Sequence, residues 1–159
     1  MVEIAGMDEI REAAVWMRDL TLQMAEDYGL SDRVEVEFGT AAGSCHFYHA
    51  LLEQHKIRYG MLGLWRAWSE GFSEYASWRQ LWTEDTMKYR AAFWATAIHE
   101  FAHVLQMERE RRLKGAAHTD RWAMAVRELQ GKYPCPITSQ PRRVASDWVR
   151  ETMSKYGMM

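Results

Sequence analysis

Two histidines with a glutamate between them, His99-Glu100-Phe101-Ala102-His103, are the residues of this chain best equipped for chemistry. Residues four apart on a helix project from one side on successive turns, so both imidazoles can converge on a single ion while Glu100 stands beside them. Zinc suits such a pair because it takes tetrahedral nitrogen and oxygen ligands, and an open fourth position admits water. It lowers the pKa of that water, and a neighbouring carboxylate can take the proton during attack on a carbonyl and pass it to a leaving amine. Hydrolysis of a peptide bond uses every one of these roles, with Glu100 as the general base.

A third ligand has to come from further along the chain. Glycine and histidine three and six residues beyond His103 would mark a metzincin, but those positions hold Gln106 and Arg109. His118 is the favoured ligand, because the chain reverses at Gly115 and His118 opens the next helical segment, where it can fold back over His99 and His103. Glu128 on that second helix is the alternative. Glu108 and Glu110 lie too close to His103 in sequence to return to it, and read as partners of nearby arginines on a solvated helix face.

The elements that must position these groups follow from periodicity. Ile10, Val15, Trp16, Leu20, Met24 and Tyr28 recur mostly at three- and four-residue intervals, predicting a helix over 8–28 that Gly29 ends. Alternating apolar and charged residues predict a strand over 33–38, followed by a turn at 39–43. Two further strands are expected at 44–48 and 56–64, the second bending at Gly60 and Gly63. A short helix or irregular lead-in is expected over 72–82. The metal helix is expected from Thr83 or Glu84 to Lys114, with Trp94, Ile98, Phe101 and Leu105 forming one apolar stripe. A last helix is expected over 119–130, ended by Gly131. The fold class is therefore α+β, with an N-terminal helix, a small three-stranded sheet, the metal helix and a ligand-bearing helix in zincin-like order. All three prolines fall in 133–143, so 1–131 reads as the core and 132–159 as a basic extension carrying a terminal helix near Trp148.

The stretch HEFAHVLQ, followed by GAAHTDRW and AVREL, resembles the SprT-like zinc metallopeptidases, the family of the Spartan-type protease domain. The resemblance implies zinc held by His99, His103 and His118, with Glu100 as the catalytic glutamate, and Trp122 where an aromatic commonly follows the third ligand. Thr119 departs from the glycine usual after that ligand. Many family members carry a cysteine-rich zinc ribbon, but Cys45 and Cys135 stand alone here, so none is expected. The family also implies a protein or peptide substrate associated with or crosslinked to DNA, and contact with single-stranded or damaged DNA.

Composition sets outer bounds. The 159 residues suffice for one core, and a formal charge of -2 gives no global signature for nucleic acid or anionic membrane. Locally, 132–159 carries five basic and two acidic residues with Tyr133, Trp148 and Tyr156 interspersed, and RERRLK at Arg109 adds a second basic stretch. These could touch phosphates and stack on bases. The N-terminus resembles neither a signal peptide nor an anchor, and two distant cysteines suit a reducing compartment. The expectation is a cytoplasmic protein, or a nucleoid- or nuclear-associated one if it is directed to DNA. The segment 56–64 is the candidate sheet edge for a substrate strand, while His46, His49 and His55 read as hydrogen-bonded or exposed histidines. The competing functional reading is a zinc-stabilised DNA-binding or adaptor domain with little or no proteolysis.

Overall fold

The computed structural model describes residues 2–70, 89–110 and 118–136. Its elements run α1 (Val2–Asp27), β1 (Val34–Gly39), β2 (Cys45–His49), β3 (Gln54–Gly60), α2 (Met61–Glu70), α3 (Arg90–Glu110) and α4 (Asp120–Lys132). The expected α+β order of helix, three-stranded sheet, metal helix and ligand-bearing helix is present, with α2 as an addition. The expected lead-in over 72–82, the start of the metal helix near 83 and the basic stretch beyond Glu110 lie outside the described residues, as does everything after 136.

Helix α1 buries Ile10, Trp16, Met17, Leu20 and Met24, while Val15, expected on that stripe, is exposed. Gly29 ends the helix through a positive φ of 72°, which lets Leu30 N donate to Ala25 O and Gly29 N to Glu26 O, a paired closure that satisfies the last carbonyls. Helix α3 differs from the single-stripe expectation, since 16 of its 21 residues are buried. Ala91, Ala92, Ala95, Ala97 and Ala102 let neighbours approach on the faces that Trp94, Ile98 and Phe101 do not fill. A helix buried nearly all round is a central one. It therefore carries His99 and Glu100 into the interior rather than along a surface.

The sheet order is β1-β3-β2, with β1 parallel and β2 antiparallel to β3. This corrects the sequence expectation that 56–64 forms the free edge: β3 is the central strand, hydrogen-bonded on both sides, and the edges are β1 and β2. It also ends at Gly60, where α2 begins, so the glycines mark a strand-to-helix junction rather than a bent strand. Leu64 and Trp68, four apart and both buried, are the helical signal in that segment.

Topology explains the glycines. Because β1 and β2 flank β3, residues 40–44 must cross the end of β3, a span of two strand spacings or about 9.6 Å. The crossing runs over Gly60 and Gly63. A Cβ on Gly60 would lie 2.4 Å from the carbonyl oxygens of Ala41 and Gly43, and one on Gly63 would lie 1.9 Å from that of Ala42. Ser44 Oγ accepts from Gly60 N at 3.0 Å and fastens the crossing strap to the junction.

Helix α4 begins at the N-cap Thr119, whose hydroxyl oxygen accepts from Trp122 N. It runs through Gly131, expected to end it, to Lys132, two residues beyond the expected last residue, and closes by Tyr133 N donating to Leu129 O. Tyr133 then packs into the core, its carbonyl accepting from Trp94 Nε1 at 2.7 Å and its hydroxyl donating to Asp27. Among the described residues Cys45 and Cys135 form no disulfide, and no helix is long and apolar enough to cross a membrane.

The strap geometry makes a direct prediction. Gly63→Ala should destabilise the fold by about 1–3 kcal/mol through overpacking against backbone. Gly43→Ala, whose added Cβ meets nothing within 4 Å, should change stability by less than about 0.5 kcal/mol. Urea unfolding of both variants checks this, and equal stability in the two would refute the crossing.

Candidate metal centre

Helix periodicity places His99 and His103 on one side of α3, and the start of α4 returns His118 against them. The Nε2 of His99 lies 3.3 Å from that of His103 and 3.2 Å from that of His118. Ligand atoms of all three residues fall within 4.8 Å of one another, forming the single such group among the described residues. Zinc–nitrogen bonds of about 2.0–2.1 Å in a tetrahedron put neighbouring nitrogens about 3.3–3.4 Å apart, so the donor set has the span of a zinc site.

Electrostatics favour ligation as well. Burial, then the neighbouring His103 and His118, lowers His99 to a pKa of about 2. Burial, then His118, lowers His103 to about 4 despite a side-chain hydrogen bond with Gln106, and burial lowers His118. All three imidazoles are neutral near pH 7, the form that offers a lone pair to a metal. Glu100 is buried beside them, its Oε1 3.8 Å from His99 Nε2. Three neutral histidines and an adjoining carboxylate constitute a zinc-metallopeptidase type of active site.

Trp122 closes the site from α4. Its ring centroid stands 4.9 Å from that of His99, 5.5 Å from His103 and 4.6 Å from His118, and its Nε1 donates to His99 O at 3.2 Å. The fully buried indole gives the triad an apolar wall.

The alternative ligand Glu128 faces elsewhere. It accepts from Tyr28 Oη at 2.5 Å and from Arg109 Nη2 at 2.8 Å, joining α1, α3 and α4 away from the triad. Of the two basic stretches, Arg109 is thus engaged with Glu128, and Lys132 sits 4.3 Å over the Tyr28 ring. Glu110 pairs with Arg121 as an ordinary surface pair at 3.4 Å. Glu108 does not stay on a solvated helix face. It reaches across to the sheet, where Arg33 Nη2 donates to its Oε1 at 2.7 Å and His55 Nε2 meets its Oε2 at 2.8 Å.

From His55 the network continues into the site. His55 Nδ1 and His46 Nε2 are 2.9 Å apart, and the His46 ring lies nearly parallel to that of His103, centroids 6.3 Å apart. With Glu108 accepting from His55 Nε2, His55 Nδ1 is an acceptor, so His46 is fixed as the Nε2–H tautomer. The reading of these histidines as hydrogen-bonded or exposed stands, with His49 the exposed one. What it missed is that His46 forms the sheet-side wall of the metal centre. No local signal announces this, since the contacts depend on strand register. Gln106 was visible only as an exclusion from the metzincin pattern, although its three-residue spacing from His103 places it on the same helix face.

No family model, curated protein or solved structure matches the chain.

The Arg33–Glu108–His55 network predicts a pH dependence. Burial lowers His55 against the opposing pull of Glu108. Burial alone would raise Glu108, but the His55 hydrogen bond and the Arg33 charge hold it below the usual carboxylate value. Both folded-state values lie below the unfolded ones, so the unfolded chain binds more protons in acid. Stability is then full above the ordinary imidazole value of about 6.5 and is lost as pH falls below it. The urea midpoint of metal-free protein should drop between about pH 7.5 and pH 5, a fall to which the lowered His46, His99, His103 and His118 also contribute, and His55→Gln should make it shallower without abolishing it. An identical slope in the variant would remove His55 from this role.

Proposed function

We propose that the chain is a SprT-like zinc endopeptidase acting on protein substrates, including protein associated with or crosslinked to DNA. The observation that carries the hydrolytic part is the convergence of His99, His103 and His118 with Glu100 beside them. The motif HEFAHVLQ with GAAHTDRW supports the family and, through it, the DNA-linked substrate.

His99 Nε2, His103 Nε2 and His118 Nε2 would hold the ion. Zinc bound there supplies an acidified water and Lewis-acid polarisation of a carbonyl. Glu100 accepts a proton at its carboxylate and delivers it to the departing amide nitrogen, as a general base that turns general acid. Its burial keeps competing bulk water away from that transfer, and Trp122 excludes water from the opposite wall. A three-histidine site serving structure alone has no use for a buried carboxylate at this distance, which favours the enzyme over the adaptor reading.

A peptide can be held along β2. Among the described residues this strand pairs on one side only, and its His46 stacks beside His103, so a substrate strand added to that edge would pass the metal centre. Main-chain pairing of this kind imposes little side-chain specificity.

Wild-type protein should contain a single zinc per chain, and His118→Ala should lose most of it while staying folded. Glu100→Gln should retain zinc and reduce cleavage of an unstructured protein by at least about 100-fold. Metal analysis and a cleavage assay with and without single-stranded DNA check both statements. Undiminished cleavage by Glu100→Gln would remove the general base, and zinc retained without any cleavage by wild type would favour the adaptor reading.

A further inference from the structure

Two side chains on one face of β2, His46 and Tyr48, rest on His55 of the central strand. Their ring centroids stand 5.1 Å and 4.7 Å from that of His55, while the alternate residues Phe47 and His49 are exposed. His46 and Tyr48 are themselves only half-buried. Because the His46 ring runs nearly parallel to that of His103, this face of β2 is the wall offered to whatever lies beside the metal centre.

The proton pattern of that wall is dictated from a distance. Arg33 Nη2 donates to Glu108 Oε1 at 2.7 Å, and a carboxylate paired with a guanidinium accepts at its other oxygen as well. His55 Nε2, 2.8 Å from Glu108 Oε2, therefore carries the proton. Burial keeps the His55 ring neutral against the pull of Glu108, so its Nδ1 is bare and receives the Nε2–H of His46 at 2.9 Å. One proton per neutral ring leaves His46 Nδ1 with a lone pair. Among the described residues nothing donates to that lone pair. The two nitrogens of an imidazole point in widely divergent directions, so it faces away from His55.

A peptide strand added to the free edge of β2 sets one residue opposite His46, its side chain on the same face and its Cβ about 4.5–5.5 Å away. Nδ1 is the ring nitrogen nearest the backbone, so a short side chain is enough to reach it. We propose that His46 Nδ1 is a specificity-determining acceptor that selects a neutral donor, the hydroxyl of serine or threonine, at the substrate position opposite it. The Arg33–Glu108–His55 chain sets this preference by fixing which nitrogen of His46 carries the proton. The inference rests on the reading of the site as a zinc endopeptidase with substrate along β2, and adds a side-chain preference to the main-chain pairing.

Glu108→Gln tests the wiring because it reverses it. Arg33 only donates, so the new amide oxygen must face Arg33 and the amide nitrogen must face His55. His55 then accepts at Nε2 and donates from Nδ1, and His46 accepts at Nε2 and carries its proton on Nδ1. Assays at about pH 8, above the ordinary imidazole value of about 6.5, keep both rings neutral. Peptides from a protein that wild type cleaves, with serine or O-methylserine at each position flanking the scissile bond in turn, separate donor from acceptor at constant charge. At one position wild type should favour serine about 3- to 10-fold in kcat/KM, the worth of a single hydrogen bond. That ratio should fall to within about twofold of unity in Glu108→Gln and in His46→Phe. The nitrogen NMR signal of His46 Nδ1 should change from bare to protonated in Glu108→Gln, and His46→Phe decides the acceptor role by itself if Glu108→Gln does not fold. Absence of a serine preference at every position, or its retention in either variant, would overturn the proposal. Failure of zinc-loaded wild type to cleave any protein would overturn the peptidase reading itself, an outcome separate from cleavage that ignores the side chain opposite His46.

Discussion

His99 Nε2 faces two other imidazole nitrogens at hydrogen-bonding distance, and a nitrogen with one proton or one lone pair cannot form two full hydrogen bonds. If it donates it serves one neighbour, and if it accepts the two neighbours share a single lone pair. A divalent cation resolves the conflict because it accepts all three lone pairs together. Most of what surrounds the triad can be understood as holding three polar rings in a place where, individually, none would choose to be buried.

Helix α3 bears the main burden. To carry His99 and Glu100 inward it must be enclosed on nearly every face, and its alanines allow that enclosure without bulky residues on the polar side. Enclosure needs a roof, which the sheet supplies, and the sheet in turn depends on the strap of residues 40–44 crossing β3. The crossing fixes β2 as an edge antiparallel to β3, placing His46 beside His103. Glycines at 60 and 63, far from the chemistry, are thereby part of the site's geometry. Side-chain substitution there would act on the metal centre through strand placement rather than through any contact with it.

How much of this was legible in the sequence follows from how local each feature is. The His99, Glu100 and His103 pattern is a property of one helix, and four-residue spacing is enough to read it. His118 was legible because it stands directly before Thr119, the N-cap of α4, and only a short interval of sequence separates it from His103. Strand existence was readable from alternation, but pairing order was not, and the error of taking 56–64 for an edge came from reading two glycines as a bend. Their actual reason, carbonyl oxygens of a strap pressed against them, involves residues some twenty positions away. Helix α2 was masked by the same glycines even though Leu64 and Trp68 carry a helical interval. The bond of Glu108 to His55 spans 53 residues and depends on β3 being the middle strand, so no one-dimensional pattern encodes it. Reading Glu108 as lying on a solvated face failed because its side chain reaches to the sheet residues Arg33 and His55, while the neighbouring Arg109 stays exposed.

His103 consequently stands between two networks of different origin. On one side Gln106, three residues along α3, donates to Thr119 at the capped start of α4. On the other, His46 stacks along it at the end of a chain anchored by Arg33, just before β1, and Glu108 of α3. The first ties α3 by a hydrogen bond to the residue that follows His118. The second acts through shape, with a ring held in one tautomer by partners that themselves cannot move freely. Trp122 adds an apolar wall, so the space enclosed by these groups is polar at its centre and poorly hydrated around it. In such surroundings the attraction between a bound cation and the Glu100 carboxylate is screened far less than it would be in water, and so is the pull on a proton passing between them. The catalytic value of the motif therefore lies less in its five residues than in the burial that the sheet and α4 impose on them.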